Sequence, residues 1–105
     1  MFAETWVCAH QTADGSVYQD TYTRSGDHFV HRDSSGNNPL EETIGYEDEF
    51  VLVLHHTRVW NFGVDDERTT FVSQINKSTG DLVVAILYSE RGRSAILDTQ
   101  CTAAE

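Results

Sequence analysis

The chain has 105 residues, enough for one domain with one core and too few for two. Seventeen acidic residues against seven basic ones give a formal net charge of -10, and Lys77 is the single lysine. Such a surface repels nucleic-acid backbones and anionic membranes, so neither is expected as a partner.

Nearly every stretch alternates like a short strand and closes on a turn signal, and no helical period runs for ten residues. Strand one spans residues 2–10, with Trp6, Cys8 and His10 on one face. After the Ala13-Asp14-Gly15-Ser16 turn, residues 17–24 place Tyr18, Asp20 and Tyr22 together. Ser25-Gly26-Asp27 is a tight hairpin signal, returning as a third strand over 28–33. Six turn-forming residues, Ser34 to Pro39, make the clearest loop in the chain.

A weaker strand over 41–46 leads into the acidic turn Glu47-Asp48-Glu49. The run Phe50–Leu54 is apolar on both faces and continues through His55-His56-Thr57 towards Trp60. Residues 61–68 are polar and acidic and read as a loop. Strand six, over 69–76, alternates Phe71, Ser73 and Ile75 against Val72, Gln74 and Asn76. Lys77-Ser78-Thr79-Gly80 is a four-residue hairpin loop with Gly80 in the left-handed position. Leu82–Leu87 is again apolar on both faces, and residues 90–93 turn into a last strand over 94–101.

About eight strands with short connections predict a single all-β domain over 1–105, an antiparallel up-and-down barrel closed to remove its edges. The alternative is a two-sheet sandwich. A barrel strand needs only its inward face apolar. The outward residues of Phe50–Leu54 and Leu82–Leu87, taken as Val51 and Val53 with Leu82, Val84 and Ile86 or their alternates, therefore predict a homodimer.

No constellation is locally convincing as chemistry. His28 and His31 fall on opposite faces, as do His55 and His56. A metal site would need His10, His28 or His31, and His56 to meet across strands, and no spacing supports that, so no metal is expected. The acidic runs Glu47-Asp48-Glu49 and Asp65-Asp66-Glu67 lack the EF-hand pattern. There is no nucleophile elbow and no phosphate-cradling loop, so neither catalytic residues nor a cofactor are assigned. Cys8 and Cys101 lie in the first and last strands, free if buried and inert, or bonded if the compartment is oxidising.

With a Trp in the first strand and an Ile-Asn-Lys-Ser-Thr-Gly hairpin late on, the chain resembles the small lipocalin-like meander barrels. The cysteine in each terminal strand is similar to the periplasmic lysozyme-inhibitor barrels. Lipocalins carry a glycine two before that Trp, where this chain has Glu4. The inhibitors' Ser-Gly motif with a following tyrosine is absent at Ser25-Gly26 and Ser35-Gly36. The resemblance implies architecture and no functional residue.

The expectation is a non-catalytic module holding a small apolar or aromatic ligand in the barrel mouth, lined by Tyr18, Tyr22 and Trp60. The alternative is an acidic interaction or inhibitor module, and an enzyme is a third class that a histidine-bound metal would favour. No stretch approaches the ~20 apolar residues of a membrane helix. Residues 1–4 lack the basic region of a signal peptide, so a soluble cytoplasmic protein is expected; the alternative is a secreted or periplasmic one with its signal removed.

Overall fold

A computed structural model describes residues 5–11, 14–33, 39–62, 65–88 and 94–104. The described residues form eight strands: β1 Thr5–Gln11, β2 Val17–Ser25, β3 His28–Arg32, β4 Leu40–Glu47, β5 Val51–Phe62, β6 Asp65–Asn76, β7 Asp81–Tyr88 and β8 Ser94–Ala104. Each pairs antiparallel with the next, and β8 pairs back onto β1, so the sheet closes into an up-and-down barrel. The sandwich alternative is thereby excluded. Closure is possible because β8 runs on to Ala104, which brings Cys101 directly opposite Cys8. The two cysteines are joined by a disulfide across the seam, closing a sequence separation of 93 residues.

Alternation then sorts each strand. Leu52, Leu54, Ile75, Leu82 and Phe29 point inward and are fully buried, with Trp6 and Tyr22 beside them. Burying each such side chain contributes about 1.5–3 kcal/mol. Of the two sets that could face out from β7, Leu82 is core and Val84 packs against it, while the alternates Val83 and Leu87 are the exposed apolar residues of β7.

Glycine decides two places. Gly80, at a φ of 84°, sits where an added Cβ would strike the carbonyl oxygen of Cys101. At Gly45 the β4–β5 register slips between Ile44 and Tyr46. That irregularity reverses the alternation of β4: Glu42 and Ile44 lie inside, then Tyr46 faces out and Glu47 turns in.

The expected loop over 61–68 is overturned. Asn61 and Phe62 pair with Asp66 and Asp65, so β5 and β6 are one long hairpin. The acidic residues argued against a strand there, but side-chain propensity is a weak preference where a backbone ladder is already running. The loop at 34–38 and the turn at 89–93 lie outside the described residues.

Candidate functional site

One end of the barrel is sealed by charge. On β2, Arg24 reaches over the Phe29 ring at 4.6 Å and grips Glu47 with both guanidinium nitrogens, at 3.0 and 2.6 Å. Lys77, entering from the β6–β7 turn, adds a third contact to Glu47 at 2.8 Å. Burial works against the Glu47 charge, but the two cations outweigh it and hold the carboxyl below its ordinary range.

At the other end the interior turns polar. Register sets three stacked pairs there, each between directly opposed residues of neighbouring strands. His10 of β1 stacks on Tyr18 of β2 at 5.2 Å, and Tyr22 of β2 on His31 of β3 at 4.3 Å. His56 of β5 stacks on Phe71 of β6 at 4.7 Å.

Two carboxylates thread between these rings. Asp20 Oδ2 lies 3.1 Å from Nε2 of both His10 and His31. Glu42, only 1% exposed, sets Oε2 against His56 Nδ1 and 3.8 Å from His31 Nδ1. The result is a chain of five groups: His10, Asp20, His31, Glu42, His56. Burial disfavours charge on His31, yet its contacts with Asp20 and Glu42 outweigh that and push it up to about 9. His31 is therefore an imidazolium at neutral pH. Burial also opposes charge on Glu42, but His31 and His56 prevail and hold it below the ordinary carboxylate range. Burial raises the Tyr22 phenol, the charges of Glu42 and Asp20 raise it further, and a hydrogen bond with Ser73 only partly offsets them, so Tyr22 keeps its proton.

The chain is incomplete. Asp20 Oδ1, Glu42 Oε1 and His56 Nε2 are buried with no hydrogen-bond partner among the described residues. Each such orphan costs about 1–3 kcal/mol, more where the group is charged. All three residues line a cavity of about 190 Å³, whose remaining wall includes Ser73, Val84 and Ile86. A void of ~150 Å³ suffices elsewhere for one benzene-sized guest.

Of the ligand-lining residues expected from sequence, Tyr18 and Tyr22 both border this cavity. Trp60 lies on β5 beyond His56, opposite Glu67, and its side chain is outside the described residues. The structure brings His10, His31 and His56 together although no spacing supported it, and adds Asp20 and Glu42, which sequence reasoning missed. His28 faces away, against Asp27 and Glu41, and His55 is exposed. Among the described residues no three ligating side chains are arranged to hold a metal ion. No protein-family model, curated protein or solved structure matches this chain.

Proposed function

We propose that the protein is a small-molecule binding module whose ligand enters the polar end of the barrel. The observation that carries this reading is the cavity of about 190 Å³ lined by Asp20, Glu42 and His56, each with a buried polar atom that has no partner among the described residues. A core that served only stability would pair or omit such atoms. Its walls are aromatic and ionisable together, so the occupant is a single ring with a polar handle rather than a purely apolar molecule.

The acidic-interaction alternative draws less support from the segment Glu41–Glu49. Glu42 and Glu47 turn into the barrel, and Asp48 caps the β4–β5 turn by accepting from the amides of Phe50 and Val51. Localisation follows the covalent chemistry: the Cys8–Cys101 disulfide supports the secreted or periplasmic alternative over the cytoplasm. We retain the homodimer through the outer faces of Phe50–Leu54 and Leu82–Leu87, where Phe50, Val83 and Leu87 are 61%, 39% and 46% exposed. Light scattering at tens of micromolar should give twice the chain mass, and a monomer there rejects it.

The ligand reading is tested by amide NMR against a library of one-ring compounds. Shifts should concentrate on the strand positions of His10, Tyr22, His31 and His56. A library that shifts no cavity residue would refute the reading.

A further inference from the structure

We propose that the cavity is built for a small aromatic cation, one ring bearing an ammonium or amidinium group, held by Glu42 and Asp20. This rests on the binding-module reading and names the class of ligand for that same cavity.

Asp20 Oδ1 and Glu42 Oε1 are carboxylate oxygens and only accept. His56 sets Nδ1 against Glu42, and its Nε2 has no partner among the described residues. The occupant must therefore bring donors. The second observation is burial: Glu42 is 1% exposed, lines the cavity and still has an oxygen without a partner. Folding has stripped that oxygen of bulk water without giving it a donor, and a ligand N–H in the cavity that Glu42 lines would supply one.

Charge selects further. Asp20 Oδ1 and Glu42 Oε1 are both carboxylate oxygens, so an anionic guest placed against them would meet like charge at close range. An ammonium or amidinium group instead brings charge-assisted donors to those oxygens. The walls agree, because Tyr18 and Phe71 offer aromatic rings, whose faces attract cations. The volume admits one ring and a short polar arm.

Three probes of matched shape separate the possibilities: benzylamine, benzyl alcohol and benzoate, titrated by calorimetry into the intact protein at pH 7.5. Benzylamine should bind at least tenfold more tightly than the alcohol, and benzoate most weakly. Glu42→Gln, which preserves shape, should weaken benzylamine at least tenfold and leave the alcohol within about threefold. Benzoate binding as tightly as benzylamine, or an unchanged benzylamine affinity in a folded Glu42→Gln protein, overturns the cation proposal while leaving a binding cavity in place. If none of the three binds to the wild-type protein, both the cation proposal and the cavity reading fall. The wild-type comparison decides even if the variant does not fold.

Discussion

The two ends of this barrel use the same kinds of side chain and reach opposite outcomes. At the sealed end one carboxylate, Glu47, meets two cations and both its oxygens are engaged. At the open end two carboxylates each present one oxygen to imidazoles and leave the other buried with no partner among the described residues. The first arrangement satisfies its carboxylate within the chain and stabilises it. The second is complete only when something else supplies donors, and incompleteness of that kind is what a binding site retains at the expense of stability.

The comparison breaks most easily at Glu47. Glu47→Ala leaves Arg24 and Lys77, whose side chains are 16% and 9% exposed, facing each other without their shared anion. Exposed ion pairs contribute ~0–1 kcal/mol and loss of a partner in a buried one costs ~3–5 kcal/mol. The expected loss is about 2–3 kcal/mol by urea denaturation, between those limits. A loss under about 0.5 kcal/mol would mean that both cations simply reach water, and the seal is no seal.

His31 is the next test, and its sign is fixed. Its folded-state value is raised from 6.5 to about 9, so its contribution is fully present below pH 6.5 and is lost as pH rises through about 9. Allowing for screening, that amounts to about 1–2 kcal/mol. Stability measured across this window should fall in the wild-type protein and fall less in His31→Gln. An equal fall in both would place the titrating group elsewhere.

Glu42 should behave unlike Glu47. Replacing it with Gln removes an ion pair but also removes the penalty of an unpartnered carboxylate oxygen, so stability should change by under about 1 kcal/mol either way. A loss as large as that at Glu47 would make the open end a structural network and dissolve the contrast.

Architecture was legible because alternation and turn residues are local signals: Gly26 and Gly80 sit at positive φ in the turns where sequence placed them. The cavity was written in the chain less directly. In β1 and β3 the inward row turns polar near its C-terminal end, at His10 and His31, and in β5 it does so at mid-strand, at His56. In β2 and β4 it turns polar at the N-terminal end, at Asp20 and Glu42. Antiparallel order sends all five to one end, so the pattern emerges only when every strand is laid in its direction. Spacing within a single strand could not show it. The inward turn of Glu47 depends on the slip at Gly45, which strict alternation could not foresee.

Salt gives the smallest effect and bears on both ends at once. Ten excess negative charges sit on a domain with a radius of gyration of 14.3 Å, and the expanded chain partly escapes their repulsion. Screening acts over ~10 Å at 0.1 M and ~3 Å at 1 M, so sodium chloride should stabilise the folded state. A gain of about 0.5 kcal/mol corresponds to a Tm rise of roughly 2–4 °C. Exposed pairs would pull the other way, but each contributes only ~0–1 kcal/mol. The Arg24–Glu47–Lys77 cluster is part-buried and less screened than an exposed pair, so the cost of Glu47→Ala should change less with salt than that of an exposed ion pair. Glu42→Gln removes one member of the repelling set, and its Tm should rise less with salt than the wild type's. A Tm that falls with salt would show that attraction between opposite charges, at either end or on the surface, outweighs the repulsion.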